Sequence, residues 1–178
     1  MPSRRIRWKW LLSIMVCAGA LHLVAVWALP RVIMWRLMSS SGMESASGVF
    51  KPPMTDANQR RVVMPSPDLL YAACVIDANQ RPVRVRADPK LPNYWSIALY
   101  AANSDNFFVI NDRQLGGRPV DLVVHAPGVS AQSLPPGVRT VVAPGGRVLL
   151  LMRLLVADYA LEREALEAAR QSLRCEPA

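Results

Sequence analysis

The sequence is poor in the residues that build most metal and catalytic sites. It has two histidines, three cysteines and only 19% charged residues. His125 is the single histidine outside an apolar N-terminal stretch, so a metal site made of several histidines of one chain is excluded. His-Glu-x-x-His, paired Cys-x-x-Cys, the P-loop and Gly-x-Gly-x-x-Gly are absent, and Ser130 is the nearest approach to a Gly-x-Ser-x-Gly nucleophile motif. We therefore predict no cofactor, no metal and no catalytic residue.

Acidic residues are missing from the first 36 positions, which hold six Lys or Arg. Since the whole chain has 21 Lys or Arg and 13 Asp or Glu, residues 37–178 hold 15 basic residues against all 13 acidic ones. The formal net charge of +8 thus belongs mainly to the N-terminus. A nucleic-acid-binding domain needs its positive charge on the folded part, so we predict no nucleic-acid partner.

A long run without charge separates Lys9 from Arg31. Its 21 residues, Trp10 to Pro30, would span roughly 30 Å as a helix, which matches the hydrocarbon thickness of a bilayer. Tryptophans lie at both ends, as they do in membrane interfaces. The basic residues preceding the run (Arg4, Arg5, Arg7, Lys9) outnumber those after it, so the positive-inside rule predicts a cytoplasmic N-terminus and an exported C-terminal part.

The alternative to an uncleaved anchor is a secretory signal cleaved after Val26-Trp27-Ala28. The apolar run exceeds the roughly 7–15 residues of a signal peptide, and residues 31–38 stay apolar and aromatic, so the anchor is favoured. In a Gram-negative host this gives an inner-membrane protein with a periplasmic domain. His22 inside the run could relay protons, but a neutral histidine facing lipid or a partner helix is the simpler interpretation.

Four segments follow from these patterns. Residues 1–9 form a cytoplasmic basic tail, 10–30 a transmembrane helix, 31–67 an interfacial segment and tether, and 68–178 a β-rich periplasmic domain ending in a helix. The tether is rich in Ser, Gly and Pro, with a candidate edge strand at residues 61–64. The domain contains about seven short β-type runs, several of them alternating, at 69–76, 82–87, 94–101, 106–111, 120–125, 138–143 and 147–156.

Short connectors between these runs favour antiparallel neighbours, because parallel pairing needs a crossover of a dozen or more residues. Residues 102–105 and 112–118 are such connectors, and Pro144-Gly145-Gly146 is a tight-turn sequence. The fold class is therefore mainly β, an antiparallel sandwich-like domain. The last run is helical from an Asp158 cap, with its apolar stripe at Leu161, Ala165, Ala169 and Leu173 and its charges on a solvated face.

Two cysteines, Cys74 and Cys175, lie in the exported part. In an oxidising compartment they could pair and tie the first strand to the C-terminal region. Alternatively, Cys74 is a small buried hydrophobe and Cys175 a free thiol. The sequence leaves both possibilities open.

Polar residues cluster at the two ends of the run 106–111. The candidate ligand-binding residues are Asp105 and Asn106 at one end and Asn111, Asp112 and Arg113 at the other. Asx turns explain the same residues more simply, because Asn and Asp bond to their own backbone in turns. His125 with Asp121 on the same strand face could act as a base, although a satisfied edge histidine is the simpler interpretation.

Two stretches, residues 65–85 and 94–114, resemble a bacterial family catalogued as domain of unknown function 1254, in its short membrane-anchored form. The resemblance covers residues 52–156. It is carried by Pro67-Asp68, Tyr71, Asp77, Tyr94-Trp95, Ser96 and Asn106 to Val109. It implies a β-rich sandwich-like domain and, as a partner, a second envelope protein with the companion domain 1214. It implies no reaction, substrate or catalytic residue.

Two functions remain in competition. The favoured one is a single-pass inner-membrane protein presenting a periplasmic β domain for protein interaction or envelope structure. The alternative is a periplasmic enzyme or small-ligand binder that uses the Asp105/Asn106 and Asn111–Arg113 loops. The first is preferred because active sites usually contain paired titratable groups that this sequence does not offer.

Overall fold

The structure, a computed structural model, describes residues 8–39, 48–56, 65–129 and 138–178. Within these ranges, eight strands form two four-stranded sheets. The first sheet has the order β1-β7-β3-β4 and the second β6-β5-β2-β8. The elements are α1 Trp8–Met38, β1 Leu69–Asp77, β2 Val83–Ala87, β3 Trp95–Ala101, β4 Asn106–Asn111, α2 Asp112–Leu115, β5 Val120–His125, β6 Arg139–Val142, β7 Arg147–Leu155, α3 Tyr159–Ser172 and β8 Arg174–Pro177. The predicted class, mainly β with an N-terminal and a C-terminal helix, is confirmed.

The core lies between the two sheets, and the alternation of apolar residues along each strand creates it. Leu70, Leu150 and Ile97 project from three adjacent strands of the first sheet and are fully buried. Val85 and Leu122, opposite each other in the register of β2 and β5, belong to the same core cluster. This continuous apolar interior fixes which side of each strand faces inward, because a shift of one residue would reverse every side chain.

The strand order differs from the expectation of simple neighbour pairing. The Pro144–Gly146 turn leads from β6 in the second sheet to β7 in the first, so it crosses between layers and forms no hairpin. Residues 112–119 likewise join β4 to β5 across the two sheets. The expectation of antiparallel neighbours at 112–118 was therefore wrong. A connector of this length can close a hairpin within one sheet, but it can also cross from one sheet to the other. The β3–β4 pair, joined by residues 102–105, is antiparallel as expected.

One strand pair is parallel, which the sequence analysis did not predict. β5 and β6 pair in parallel, with His125 opposite Val142. The segment between them, residues 126–138, has the dozen or so residues that a parallel connection requires. The expected strand at residues 61–64, and Ser130, lie outside the described residues.

The C-terminal helix buries a different stripe from the predicted one. Asp158 caps α3 as expected and accepts hydrogen bonds from the N–H groups of Ala160 and Leu161. Leu161 is 85% exposed and Ala165 is exposed, whereas Ala169 and Leu173 enter the core as predicted, together with Leu166. The predicted stripe was wrong at Leu161 and Ala165, because the position of the sheet edges decides which face is covered.

The charges of α3 are not all on a solvated face, contrary to expectation. Arg170 is buried and donates to the carbonyl oxygens of Pro52 and Tyr71 at 2.6 and 3.1 Å, and to the Glu167 carboxylate at 2.6 Å. One guanidinium therefore joins α3, β1 and the segment 48–56. After the helix the chain forms β8, an eighth strand, which pairs with β2.

The outer face of the first sheet is covered by the end of α1. Met34 and Met38 are buried there in a cluster with Ala73 of β1 and Leu149 of β7. The segment 48–56, which composition placed in a tether, lies on the domain, where Phe50 forms an antiparallel bridge with Ala73. Residues 8–27 of α1 are exposed, and the helix is long and apolar enough to cross a membrane, a test that a signal sequence also passes.

Candidate functional site

The two predicted polar loops lie at opposite ends of β4. Asp105 and Asn106 stand at its start, Asn111, Asp112 and Arg113 at its end. Five residue steps at about 3.3 Å place the two groups roughly 17 Å apart along the strand. They therefore do not form a single site, and each group has its own structural setting.

The first group builds a turn. The side-chain oxygen of Asn103 accepts the Asp105 N–H at 3.2 Å, and the Asn103 amide donates to the Asp105 carboxylate at 2.5 Å. Ser104 has a φ of 76°, the left-handed conformation that such a tight reversal requires. These hydrogen bonds account for the polar residues through local turn chemistry.

The second group starts a short helix. The Asn111 side chain accepts the Gln114 N–H at 3.0 Å while the Gln114 side chain accepts the Asn111 N–H at 3.1 Å, which is a reciprocal capping box. Gly116 ends the helix with a φ of 58°. Asn111 thus has a structural task, whereas Arg113 is exposed.

Asp112 lines a small pocket of about 260 Å³ at one end of the sandwich. The pocket lies between the loop after β2 and the segment after β4. Its lining residues are Asp88, Pro89, Lys90, Leu91, Trp95, Asp112, Gly117 and Arg118. Trp95 is almost fully buried and joins the pocket to the core, and the Asp112 Oδ1 atom is buried without a hydrogen-bond partner.

The pocket combines two carboxylates with two cations. Lys90 Nζ lies 3.4 Å from the Asp88 carboxylate, and Arg118 Nε donates to the Leu115 carbonyl oxygen at 3.0 Å, which fixes the direction of the guanidinium. The lining contains no serine, cysteine or histidine, so it offers no usual nucleophile for covalent catalysis. Its chemistry suits the binding of a small polar molecule.

Sequence reasoning found one residue of this pocket, Asp112, and missed the others. Asp88 and Lys90 lie two positions apart just after β2, and Arg118 lies six residues after Asp112 in the connector from β4 to β5, so only the fold brings these two segments together. A signal did exist, since each is a charge next to a strand end. The sequence does not indicate which strand ends lie next to each other in the fold.

Among the residues that the structure describes, no acidic side chain partners the candidate base His125. Asp121, expected to assist it, forms two hydrogen bonds with Arg84, at 2.8 Å from Nε and 2.7 Å from Nη2. Hydrogen bonding from Arg84 lowers the pKa of Asp121 and also raises the pKa of Arg84. His125 Nδ1 lies 3.1 Å from the Ala126 carbonyl oxygen, so the ring has a backbone partner.

Cys74 and Cys175 form a disulfide across the sandwich, with their Sγ atoms 1.98 Å apart. Cys74 belongs to β1, an edge strand of the first sheet, and Cys175 to β8, an edge strand of the second. The bond therefore joins the two sheets at one side of the core. Within the described ranges, no group of three or more His, Cys, Asp or Glu is placed to hold a metal ion.

The family model for DUF1254, described as a protein of unknown function, matches residues 49–177. The chain belongs to this family. No curated protein matches the sequence significantly. The match begins just before Phe50, so it includes the segment that pairs with β1 as well as both sheets.

Two solved structures share the fold. The VPA0106 protein from Vibrio parahaemolyticus aligns with a TM-score of 0.62 and 13% identity, over 87% of this chain and 36% of its own. An uncharacterized protein from Burkholderia cenocepacia aligns with a TM-score of 0.50 and 16% identity, over 89% of this chain and 42% of its own. This chain thus spans well under half the length of either neighbour, and at this identity the likeness concerns the fold alone.

Proposed function

We propose that this protein is a single-pass inner-membrane protein that holds its β sandwich on the periplasmic side as an interaction or structural module of the envelope. The observation that carries the proposal is the continuity of α1 with the domain. Its apolar part is exposed, while Met34 and Met38 at its end are buried against the first sheet. The proposed membrane anchor is thereby part of the domain's packing.

The chemistry at the two ends of the helix supports this orientation. The basic residues Arg4, Arg5, Arg7 and Lys9 precede the apolar run. At the other end, Arg31 donates to the Trp27 carbonyl oxygen at 2.6 Å, and its guanidinium stacks 4.4 Å from the Trp27 ring centre. A paired arginine and tryptophan suit the headgroup layer, where one side is apolar and the other wet.

An interaction role suits the surface better than catalysis does. The titratable groups with a clear pKa shift, Arg84 and Asp121, form an ion pair on the second sheet, away from the pocket. Such a pair is ordinary structural chemistry and offers no group poised for proton transfer. The partner that we propose is a second envelope protein with the companion domain 1214.

Fractionation tests the placement. The full chain should stay with the membrane after alkaline carbonate extraction, and protease added to spheroplasts should digest the sandwich while leaving the N-terminus intact. Full-length chain in the soluble cytosol would contradict the proposal. A mature mass that lacks the first 28 residues would replace the anchor with a signal peptide. Detergent extracts that never yield a companion-domain protein would contradict the partner.

A second candidate function, small-ligand binding, is favoured by the Asp112 pocket. A panel of small polar molecules, including amino acids and dicarboxylates, should contain a compound that raises the melting temperature of the purified chain. The rise should be lost in Asp112→Asn and Arg118→Gln. It should persist in Arg113→Gln, a matched control because Arg113 does not line the pocket. Equal shifts in all three variants would contradict this site.

A further inference from the structure

Three buried polar side-chain atoms have no hydrogen-bond partner in the part of the chain that the structure describes. One of them, Asp112 Oδ1, lines the pocket described above. The other two are Ser96 Oγ on β3 and Arg153 Nε on β7, and these two residues lie directly opposite each other in the strand register. Because an unpaired buried polar atom is costly, this adjacent pair is a candidate site for a bound group.

Both side chains project from the outer face of the first sheet. The residues on either side of them along β3 and β7 belong to the core between the sheets, so Ser96 and Arg153 point the other way. These core residues are Trp95, Ile97, Met152 and Leu154. Directly opposite residues of antiparallel strands have Cα atoms about 4.5–5.5 Å apart, so one small group placed between the two side chains can bond to both.

The neighbours of this pair on the two flanking strands have partners of their own. The Tyr71 hydroxyl, on β1 opposite Arg153, accepts the Ser66 N–H at 3.1 Å. Asn111, on β4 opposite Ser96, forms the capping box of α2. Arg153 is half-buried and forms no ion pair or hydrogen bond with the described residues. A guanidinium N–H and a serine O–H both donate, so the group that completes this pair is an anionic acceptor.

The docked end of α1 relates this pair to the proposed membrane surface. Arg147, at the start of β7, donates to the carbonyl oxygen of Met38, the last residue of α1, at 3.4 Å. The cluster around Met34 and Met38 extends along the outer face of β7 as far as Leu151. Earlier residues of α1 thus cover later residues of β7. Arg153 is the next outward-facing position of β7, toward the side from which the helix arrives.

A second guanidinium lies where the helix reaches the domain. Residues 8–27 are exposed, whereas Pro30 and Arg31 are half-buried. Arg31 stacks on the Trp27 ring at 4.4 Å, a pairing that suits the headgroup layer. If α1 spans the bilayer, Arg153 therefore lies on the part of the sheet closest to the lipid phosphates.

We propose, on the basis of the membrane anchor proposed above, that Arg153 and Ser96 bind the phosphate of a phospholipid headgroup. The Arg153 Nε–H and the Ser96 hydroxyl donate to phosphate oxygens, and the phosphate supplies the counter-charge that the guanidinium lacks. The acyl chains of the lipid then lie beside the exposed apolar run of α1. The outer face of the first sheet thus contacts a lipid as well as the end of the helix.

A lipid titration of the full chain tests the site. The chain is purified in maltoside micelles, which contain no phosphate, and phosphatidylglycerol is added while the melting temperature is measured. The unmodified chain should gain stability. Arg153→Gln should need at least about tenfold more lipid for the same gain, the effect of losing a hydrogen bond to a charged group. Arg163→Gln changes an exposed arginine of α3, and this matched control should behave like the unmodified chain.

Ser96→Ala separates a bound phosphate from a structural role of the hydroxyl. Since Ser96 Oγ has no partner among the described residues, its removal should leave the melting temperature in lipid-free micelles unchanged or higher. The same variant should need about three- to tenfold more phosphatidylglycerol. A loss of stability in Ser96→Ala without lipid, or an unchanged lipid requirement in Arg153→Gln, would overturn the inference.

Two further outcomes identify which part of the argument fails. Inorganic phosphate that stabilises the chain as well as phosphatidylglycerol does, at equal concentration, would overturn the assignment to a lipid. Fractionation of cells tests the anchor separately, because the titration uses the purified full chain. A chain that is cleaved after residue 28 in cells would therefore contradict the anchor, whereas loss of the Arg153 effect in micelles would contradict the phosphate site.

Discussion

The ion pair between Arg84 and Asp121 illustrates what a single contact contributes at the surface of the second sheet. Arg84 holds Asp121 with two hydrogen bonds, although both side chains remain about one third exposed. Because the hydrogen bonds from Arg84 lower the pKa of Asp121 below that of the unfolded chain, the pair stabilises the fold once Asp121 is ionised in both states. This contribution is complete above the unfolded pKa of about 3.9 and declines as pH falls through the lower folded value.

We therefore predict that Asp121→Asn flattens the acid side of the stability curve. Melting temperature measured from pH 6 down to pH 2 should fall less steeply in the variant than in the unmodified chain, and the slopes of the two curves should differ only below about pH 5. At neutral pH the variant should be the less stable of the two. If the melting temperatures of the two proteins changed in parallel over the whole pH range, the ion pair with Arg84 would not stabilise the fold.

Arg170 should contribute far more to the free energy of unfolding than a charge on the surface does. Its guanidinium is 6% exposed and satisfies two backbone carbonyl groups as well as Glu167. Arg170→Met keeps the apolar stem but leaves these acceptors without a donor, which should cost about 2–3 kcal/mol of unfolding free energy. Leu161→Ala on the same helix, at 85% exposure, should stay within about 0.5 kcal/mol. Similar losses for both in urea titrations would contradict the role of Arg170.

At the scale of elements, the sequence predicted the strands well and their partners poorly. The β-type runs at 69–76, 106–111 and 120–125 correspond closely to β1, β4 and β5, because alternation and turn residues are local signals. The position of β7 between β1 and β3 depends on the crossing at Pro144–Gly146, which no local pattern encodes. β8 has four residues and no periodicity of its own, and it is placed by pairing with β2 and by the Cys175 bond.

For the candidate site, the sequence likewise indicated some individual residues but not which of them lie together. Asn111 and Asp112 follow from the rule that polar residues gather at strand ends, and the structure assigns the first to a helix cap and the second to the pocket. Arg118 lies six residues after Asp112 in the same connector, whereas Asp88 and Lys90 reach Asp112 only through the topology. The conversion of one loop cluster into a turn and of another into a pocket wall depends on long-range packing, which composition does not specify.

The disulfide is the element-scale feature with the largest predicted effect. It joins edge strands 101 residues apart in sequence, so it restricts the unfolded chain strongly. Cys74→Ala with Cys175→Ala should lower the free energy of unfolding by about 4 kcal/mol in the chain-entropy description. Cys17→Ser, a matched control outside the sandwich, should have little effect.

Thiol labelling gives an independent measurement of the same bond. In denaturant without reductant, one thiol per chain should react, that of Cys17, and after reduction three should react. Three reactive thiols before reduction, with unchanged stability of the double variant, would contradict a disulfide in the native protein.

On the scale of the whole molecule, the end of α1 packs against the sandwich. Met34 and Met38 cover Ala73 and Leu149, and the same cluster includes Phe50 from the segment that bridges to β1. Without the end of α1, the outer face of the first sheet would expose a contiguous apolar patch, which soluble domains rarely tolerate. The last residues of α1 thus serve packing on the first sheet.

Weakening this contact should destabilise the domain although the apolar run from Trp10 to Pro30 is unchanged. Met34→Ala with Met38→Ala removes two buried side chains, for which large-to-small substitutions typically cost about 2–5 kcal/mol each, so we expect a combined loss of at least about 3 kcal/mol. Trp35→Ala, between them on the helix but 63% exposed, is the matched control and should change little. Thermal unfolding of the full chain in detergent micelles measures the difference. If the double methionine variant melts at the same temperature as the unmodified chain, the sandwich folds independently of α1.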